Sequence, residues 1–404
     1  MKICMITTRH TLDDARIIHK EALSLANAGH EVCLLYSCND RYEYLRNDGK
    51  LIVKGEAPHG KTTYRGLNVY GLPKRNGLIG KVKMCLELGK LAAKLNADVY
   101  HAHEPDLSLV IAIRAKKILA KHGFKSLVVH DMHEYPPGEP ADKGPKFFKS
   151  VILYSFILWD KLLVRNVDHV FTANNIVRGY ILSLQYKLSV DVLFNGPILK
   201  LFPQPAFKTW PRNEEKLLLC HEGSLPFDRG LKEMIQAVNH LRDRVCLRIV
   251  GDVFGEERTW LMKEIEDKGL HDNITITGWL PYEKVSEAVN SCHVGLILFR
   301  DCIENRLAGP PNKLFNYMNS GLPVLSVDFP EMRQIIQEEE CGMLIRDQSI
   351  EAITESIEAL LLNIEVLERM SKNGQKAINE RYAWEVIEKK LISSYERFAK
   401  QLSN

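Results

Sequence analysis

The chain has 404 residues, of which 45% are hydrophobic and 26% are charged, and its formal net charge is +3 at pH 7. This length exceeds what one hydrophobic core usually supports, so it predicts two domains of roughly 200 residues each. The composition is that of a globular protein and excludes a disordered chain. The small net charge gives no reason to expect a nucleic-acid partner.

The nine cysteines are scattered and form no C-x-x-C pair, and no histidine cluster has zinc-finger spacing. Several cysteines fall inside apolar strand patterns, which indicates reduced core thiols in a cytoplasmic protein. The first apolar run, 1–7, is too short for a signal peptide. The longest one, 151–158, is far shorter than the roughly 20 residues of a spanning helix.

In the first half of the chain, short apolar runs alternate with helical patterns, which predicts the parallel strands of a doubly wound α/β sheet. The predicted strands are 2–7, 31–36, 98–103, 126–130, 168–173 and 191–194. The first helix has Asp13 or Asp14 as its N-cap and Gly29 just after its end. Its start therefore points toward the carboxyl edge of the sheet.

A proline-containing, charge-mixed stretch, 197–215, separates this series from a second one. The second series predicts strands at 217–222, 245–250, 273–277, 293–299, 323–327 and 342–345. A helical tail follows from 349 to 402. We assign residues 1–200 to an N-terminal Rossmann-like domain, 201–384 to a C-terminal one, and 385–404 to a helix that crosses back to the first domain.

The turn after strand 217–222 carries a pattern that suits an anion. Gly223 and Ser224 follow the strand, and Arg229 and Gly230 precede the next helix. Free backbone N–H groups, a positive helix end and a cation together favour a diphosphate. A plain βα loop with a solvated arginine explains this segment equally well, since it is neither a P-loop nor a G-x-G-x-x-G turn.

A second helix start is predicted in the segment 309–324. Two prolines restrict the loop, Asn312 is the predicted N-cap, and the helix runs from Lys313 to about residue 319. A capped connecting helix is the plain alternative. Two helix starts that bring Arg229 and Lys313 to one sheet edge favour anion binding instead.

Five histidines differ in the roles that their positions predict. His133 follows directly after a predicted strand and so reaches the sheet edge, which favours a functional role. His101 and His103 lie on one strand, and we do not expect their rings to share a pocket. Only His103, nearer the carboxyl end, is a site candidate, with a structural role equally open. His221 and His293 fall inside strand patterns and are expected to be buried and neutral.

A basic and aromatic region spans residues 143–165. This pattern suits contact with an anionic bilayer or a lipid-linked acceptor. A core helix with a solvated basic end stays open as the alternative, because the segment is apolar nearly all round. The basic residues within the region or assigned to the same face are Lys143, Lys146, Lys149, Lys161, Arg165, Lys74, Arg75, Lys81 and Lys83.

Taken together, the motifs resemble the retaining GT-B glycosyltransferases of family 4. In the second half they are Gly223 with a cation six residues later, VGD at 250–252, TGW at 277–279 and PNKLF-x-YM-x-x-G-x-PV at 311–324. In the first half they are DDARIIHKE at 13–21, GHEV at 29–32, HAH at 101–103 and DMHE at 131–134. The match spans nearly the whole chain in order.

The resemblance implies a GT-B architecture, in which two Rossmann-like doubly wound domains face each other across a cleft that holds the site. It implies that Arg229 and Lys313 hold the donor diphosphate and that His133 meets the donor sugar, and we take these three as catalytic. The other donor-binding residues it implies are Gly223, Ser224, Gly251, Asp252, Trp279, Leu280, Asn312, Leu314 and Asn316. The acceptor-side candidates are His10, Asp14, Arg16 and His103.

The function implied by the resemblance is transfer of a sugar, with retention, from a UDP- or GDP-linked donor to a hydroxyl of a glycan or lipid-linked glycan. No metal and no cofactor are expected. The setting is polysaccharide or cell-envelope synthesis in the cytoplasm, at the inner face of the membrane. A nucleotide-sugar epimerase on the same fold and a catalytically silent binding protein remain alternatives.

Three departures from the family pattern bear on catalysis. The usual pair of glutamates, eight residues apart, falls on Ala308 and Asn316. Asn316 can still bond a ribose hydroxyl through its amide oxygen, whereas Ala308 cannot orient a sugar, and Glu304 is a substitute from the same loop. Ser224 replaces a common arginine, and residues 9–11 replace a glycine pair.

Overall fold

The computed structural model describes residues 1–46, 49–104, 107–135, 148–211, 215–307 and 309–403, without the side chains of residues 282, 283 and 304. The chain divides into two compact units. Unit 1 comprises Met1–Phe194 and Glu388–Asn404, and unit 2 comprises Asn195–Ile387. The division thus falls six residues before the predicted boundary.

Unit 1 is built on an eight-stranded sheet. Its strands are β1 (Lys2–Thr7), β2 (Glu31–Cys38), β5 (Thr62–Tyr64), β6 (Leu67–Pro73), β7 (Val99–His103), β8 (Leu127–Met132), β9 (His169–Thr172) and β10 (Ser189–Val192), and a hairpin of β3 (Glu43–Leu45) and β4 (Leu51–Lys54) lies outside it. The order is β10-β9-β8-β7-β1-β2-β6-β5, with only β5 antiparallel. The predicted doubly wound sheet is confirmed.

The sequence analysis missed the four strands β3 to β6. They are short or, like β6, alternate buried with exposed residues and contain glycine and proline. Because long apolar runs were the signal for a buried strand, these segments gave none.

The helices of unit 1 connect consecutive strands. They are α1 (π-helical Ala15–Ala22 followed by Leu23–Asn27), α2 (Gly77–Leu95), α3 (Leu107–Ala120), α4 (Lys149–Val164) and α5 (Asn175–Leu184). Asp14 is the N-cap of α1, since its carboxylate accepts hydrogen bonds from the backbone N–H groups of Arg16 and Ile17. This cap places α1 at the carboxyl edge of β1.

Unit 2 contains a second, fully parallel sheet, again as predicted. Its strands are β11 (Leu217–Glu222), β12 (Val245–Val250), β13 (Ile274–Ile276), β14 (Val294–Ile297), β15 (Val324–Val327) and β16 (Gly342–Ile345). The order is β13-β12-β11-β14-β15-β16, so β11 is central. Central parallel strands present their carboxyl ends to one edge, which is where ligands bind in such sheets.

The helices of unit 2 are α6 (Leu231–His240), α7 (Gly255–Lys268), α8 (Tyr282–Asn290), α9 (Ile303–Leu307), α10 (Asn312–Asn319), α11 (Pro330–Glu338), α12 (Ile350–Leu361) and α13 (Ile364–Ala377), and α14 (Trp384–Ser403) ends the chain. A 3₁₀ turn, Phe227–Arg229, precedes α6. Within the described parts of the chain, no helix is long and apolar enough to cross a bilayer.

The predicted N-cap role of Asn312 is wrong. Pro311 is the last extended residue and Asn312 already belongs to α10. Its side-chain oxygen accepts a hydrogen bond from the Asn195 amide instead. Proline has no side-chain oxygen, so a polar side chain does not cap this helix start.

The cysteines are free thiols, and most of them are buried, which confirms the prediction of core thiols. In unit 1 the residues Ile3, Met5 and Ile6 of the central strand β1 are fully buried. This burial on both faces is typical of a parallel sheet covered by helices.

Candidate functional site

A group of charged and histidine side chains lies at the carboxyl edge of the unit 1 sheet. We call it the unit 1 cluster, and it comprises His10, Asp14, Arg16, His103, Glu104, Asp131 and His133. Neighbouring strands β1, β7 and β8 deliver most of these residues, because their carboxyl ends meet at one edge. Residues distant in sequence thereby come into hydrogen-bonding distance.

His133 is held between two carboxylates. Its Nε2 lies 2.8 Å from Asp131 Oδ2, and its Nδ1 lies 3.2 Å from Glu104 Oε1. An ionised carboxylate only accepts hydrogen bonds, so both ring nitrogens donate when both contacts are made. The two carboxylates therefore fix the orientation of the ring, which is still 13% exposed.

His10 shares the Glu104 carboxylate. Its Nδ1 lies 3.0 Å from Asp14 Oδ2, and its Nε2 lies 3.7 Å from Glu104 Oε1. Burial by itself would lower the pKa of His10, but the hydrogen bonds and charges of Asp14 and Glu104 outweigh burial and raise it to about 10. His10 is therefore a cation at neutral pH.

Glu104 is the bridging residue of the unit 1 cluster. Burial opposes its ionised form, but the charge of His133 and the hydrogen bond from His10 lower its pKa overall. Its backbone lies in the left-handed region, with a φ of +69°, and its N–H donates to the Asp131 carbonyl. Such a conformation is uncommon outside glycine and is concentrated at functional sites. Glu104 was not among the predicted site residues.

Within the unit 1 cluster, Arg16 contacts Asp131. Its Nε and one terminal nitrogen donate to the two oxygens of Asp131 at 2.9 and 2.8 Å, and the other terminal nitrogen donates to the Leu193 carbonyl. Burial opposes ionisation of Asp131, but the charges of Arg16 and His133 lower its pKa well below the ordinary value. The structure thus places Arg16 as the support of Asp131.

His101 and His103 share one face of β7, contrary to our expectation. Their rings stack with centroids 4.6 Å apart, because side chains two residues apart on a strand point the same way. His103 is fully buried, with Nδ1 3.3 Å from Asp131 Oδ2, and burial lowers its pKa to about 4. His101 bonds the Tyr395 hydroxyl. Both histidines are neutral and lie beneath the carboxyl edge of the unit 1 sheet as structural residues.

Among the described residues of unit 1, two sets of potential metal ligands have ligand atoms within 4.8 Å of one another: Glu21, His101, His103 and Asp131, and also His10, Glu104 and His133. In the first set Arg16 already lies 3.0 Å from Glu21 and 2.8 Å from Asp131. In the second set, Glu104 already pairs with His10 and His133. A fixed cation of the chain, Arg16, therefore already neutralises the two carboxylates of the first set.

In unit 2 the turn after β11 adopts the conformation that its glycines allow. Gly223 has a φ of +95° and its N–H donates to the Val250 carbonyl. Gly251 ends the neighbouring strand, and a Cβ there would lie 2.3 Å from the Gly223 carbonyl oxygen. Only glycine permits this close approach of the two strand ends.

Arg229 and Lys313 meet over one aromatic ring. The guanidinium carbon of Arg229 lies 4.2 Å from the Phe299 ring centroid, and Lys313 Nζ lies 5.4 Å from it. Among the residues that the structure describes, no carboxylate forms an ion pair with Arg229. The two cations predicted to bind an anion are thus side by side, and Phe299, which the sequence analysis missed, positions both.

Lys313 is half-buried and contacts His221. Its Nζ lies 3.2 Å from His221 Nε2. Burial lowers the pKa of Lys313 to about 7, the charge of Arg229 adds to this effect, and the charge of Glu222 opposes it. Burial and the charge of Lys313 lower the pKa of His221 as well, which confirms that His221 is buried and neutral.

Glu222 supplies a carboxylate next to Asn316. Asn316 Nδ2 donates to Glu222 Oε1 at 2.7 Å, and the other oxygen, Oε2, is buried without a hydrogen-bond partner among the described residues. The Glu222 N–H also donates to the Tyr317 hydroxyl at 2.8 Å. Burial raises the pKa of Glu222, and the hydrogen bond from Asn316 opposes that rise.

The remaining predicted donor-binding residues lie around the ends of β11, β12 and β13 and the start of α10. Asp252 pairs with Arg258, the Trp279 side chain is 60% exposed, and the Leu314 N–H donates to the Pro311 carbonyl. Ser224 is exposed and Leu280 is half-buried. Ala308 and the Glu304 side chain lie outside the described residues, as do Lys143 and Lys146.

Two family models match the chain in succession. Residues 15–196 match the glycosyl transferase 4-like domain, and residues 204–377 match the glycosyl transferases group 1. The matched stretches contain the unit 1 cluster from Arg16 onward and the unit 2 turn with Arg229 and Lys313.

Individual relatives agree with these models. An uncharacterized glycosyltransferase of Methanocaldococcus jannaschii, MJ1069, is 22% identical over 296 residues, 71% of each chain. A putative colanic acid biosynthesis glycosyltransferase of Escherichia coli, WcaL, is 21% identical over 83% of this chain and 78% of its own. The structure of Anabaena Alr3699/HepE in complex with UDP has a TM-score of 0.72 at 14% identity and covers 98% of this chain and 100% of its own.

Proposed function

We propose that this chain, a glycosyltransferase with the GT-B fold that its sequence predicted, moves a sugar from a nucleotide-diphosphate sugar to a hydroxyl acceptor with retention. The observation that carries the proposal is the pair of Arg229 and Lys313 over the Phe299 ring, beside the Gly223 turn. Two adjacent basic side chains, of which Arg229 has no carboxylate partner within the described part of the chain, suit the two charges of a diphosphate.

The donor diphosphate is proposed to lie on the unit 2 turn. Negative charge grows on the diphosphate as the bond to the sugar breaks, and fixed cations stabilise that charge without reorganising. Lys313, with a pKa of about 7 in the free protein, gains its proton when a phosphate arrives, since an opposite charge favours the ammonium form.

The nucleoside is proposed to bind beside the phosphates. The exposed Trp279 ring offers a stacking surface for the base. Asn316 and the unpartnered Glu222 Oε2 offer hydrogen-bond acceptors for ribose hydroxyls. Gly251, Asp252, Asn312 and Leu314 line the same strand and helix ends. A UDP- or GDP-linked donor is consistent with this set, and the relative Alr3699/HepE is described in complex with UDP.

Unit 1 is proposed to provide the contacts to the transferred sugar and the acceptor. His133, whose ring is fixed by Asp131 and Glu104, contacts the sugar, and His10 and Asp14 lie on the acceptor side. No protein nucleophile is part of the proposal, and the leaving phosphate takes the acceptor's proton. Orientation and fixed charge then account for the rate.

The proposed reaction uses neither a metal nor a cofactor. Arg229 and Lys313 provide the positive charge at the diphosphate, and in unit 1 Arg16 already pairs with Glu21 and Asp131. Added EDTA is therefore expected to leave turnover unchanged.

The proposed acceptor is a glycan or a lipid-linked glycan, and the setting is polysaccharide synthesis at the inner face of a membrane. The colanic acid relative supports such a setting. The proposal includes a peripheral membrane contact through residues 143–165. The structure describes residues 148–165 of this segment.

The proposal is tested by donor turnover. The protein is incubated with UDP- and GDP-sugars, and release of UDP or GDP is followed with and without glycan acceptors. Arg229→Ala and Lys313→Ala are expected to lower release by about 10²- to 10³-fold, the usual effect of losing one charge-stabilising donor. Arg244→Ala, which breaks only an exposed pair with Glu358, serves as the control and is expected to retain activity.

Other outcomes identify the rival functions. Conversion of the donor into another nucleotide sugar without acceptor identifies an epimerase, which the glycosyl transferase family models do not favour. Nucleotide binding without release from any donor identifies a silent binding protein.

A further inference from the structure

Helix α4 exposes most of its apolar surface. Only three of its residues, Asp160, Leu163 and Val164, are buried. The exposed apolar side chains include Val151 (60%), Tyr154 (71%), Leu158 (59%), Trp159 (48%) and Leu162 (48%). This exposure excludes the alternative of a core helix with a solvated end, because a core helix would bury these side chains.

The start of α2 exposes a second apolar group. Leu78 is 81% exposed, Ile79 is 86% exposed and Val82 is 51% exposed. Exposed large aliphatic side chains in consecutive turns are a cost in water, so a cluster of them marks a contact surface.

The two helices belong to connections that leave the same edge of the unit 1 sheet. β6 and β8 are parallel to β1 through their neighbours, and α2 and α4 are the next described helices along the chain, so each connection leaves the sheet at its carboxyl edge. Both connections, β6 to β7 and β8 to β9, run the same way along the strand order. Right-handed crossovers therefore place both helices on one face.

The charge of this surface is positive. Lys81, Lys83, Lys161 and Arg165 are exposed. The one acidic residue of α4, Asp160, is buried and bonded by the Tyr180 hydroxyl. Basic residues beside exposed aliphatic, tyrosine and tryptophan side chains complement an anionic membrane surface, and this combination favours lipid over a protein partner.

We propose that unit 1 docks on an anionic bilayer through the start of α2 together with α4, which we call the two-helix surface. The apolar side chains insert among the headgroups and the lysines bind anionic lipid. Because the unit 1 cluster lies at the same sheet edge, docking brings it to the headgroup level, where a lipid-linked acceptor presents its hydroxyl. The inference rests on the proposed function for the acceptor and adds the surface and its lipid chemistry.

The test is co-sedimentation of the full chain with vesicles. Vesicles of phosphatidylcholine with about one third phosphatidylglycerol are compared with pure phosphatidylcholine. We expect binding to the anionic vesicles, weakened at high salt because surface charges are screened. Lys81→Gln with Lys83→Gln is expected to lower the partition coefficient by about 30-fold, given about 1 kcal/mol per lysine at an anionic surface.

Two further double variants test the exposed apolar side chains of α2 and α4. Leu78→Gln with Ile79→Gln, and separately Tyr154→Gln with Leu158→Gln, are each expected to lower binding by at least about tenfold. All four side chains are exposed, so folding is unaffected. Tyr186→Gln is the control, because this side chain is also 78% exposed but follows α5.

Three results overturn the inference. They are equal binding to neutral and anionic vesicles, binding by the α2 and α4 variants as strong as that of the wild type, and self-association of the chain in place of vesicle binding. Release of UDP or GDP from a donor is measured in parallel without vesicles. Loss of vesicle binding with intact release contradicts the docking surface alone, whereas absent release contradicts the proposed function.

Discussion

Asn316 Nδ2 donates a 2.7 Å hydrogen bond to Glu222 Oε1, so an amide on α10 is held by a carboxylate at the end of β11. The family pattern places a glutamate at the position of Asn316. In this chain a carboxylate is present beside that position, but it comes from a residue 94 positions away. The departure seen in the sequence is thus accompanied by a neighbouring acid.

Exchanging the two side chains tests this pairing. Asn316→Glu places two carboxylates together in a buried position, and we expect a loss of about 1–3 kcal/mol in the free energy of unfolding. Adding Glu222→Gln restores one amide and one carboxylate, so the double variant is expected to recover at least about 1 kcal/mol. Denaturant unfolding measures both, and a double variant with merely additive losses contradicts the pairing.

Lys313 predicts proton uptake on nucleotide binding. With a pKa of about 7, it is mostly neutral at about pH 8 in the free protein, and a bound diphosphate restores the ammonium form. Calorimetry of UDP or GDP binding in buffers of different ionisation enthalpy is expected to show uptake of nearly one proton. Lys313→Arg, which keeps its charge, is expected to bind without uptake. Equal uptake by both proteins argues against this assignment.

Removing the Phe299 ring is expected to weaken nucleotide binding through both Arg229 and Lys313. Phe299→Leu keeps an apolar side chain but removes the ring beneath Arg229 and Lys313, and we expect the Kd for a nucleoside diphosphate to rise by about 3- to 10-fold. Titration calorimetry measures the Kd, and the melting temperature without nucleotide reports separately on packing. An unchanged Kd in a folded variant shows that the ring does not position the cations.

His10 predicts a pH-dependent stability difference. Its pKa is raised to about 10 in the folded chain from an ordinary value near 6.5. Its contribution is therefore complete below pH 6.5 and is lost as the pH rises through about 10. Relative to His10→Gln, we expect the wild type to be more stable by on the order of 1–2 kcal/mol at pH 6, allowing for solvent screening, and equal above pH 10. A difference that grows with pH contradicts the ion pairs of His10.

The sequence was most informative where a signal is local. Long apolar runs identified the central strands, and glycine, arginine and lysine beside helix starts identified the unit 2 turn, because these patterns depend on neighbouring residues. Glu104, Phe299 and Glu222 were missed because their partners lie far away in the chain and only the sheet order brings them together. The expectation that His101 and His103 would not share a pocket failed because strand residues two apart point to the same face.

The central claim is that unit 2 binds a nucleoside diphosphate through Arg229 and Lys313. A thermal melt of the full chain with UDP, GDP, ADP and CDP and their sugar conjugates tests it most directly. A ligand at about 100 times its Kd adds about 2.7 kcal/mol to native stability. For a unit of this size that corresponds to a rise of roughly 5–10 °C. We predict such a rise with UDP or GDP, and its loss in Arg229→Ala and Lys313→Ala. No shift with any of these nucleotides contradicts the account.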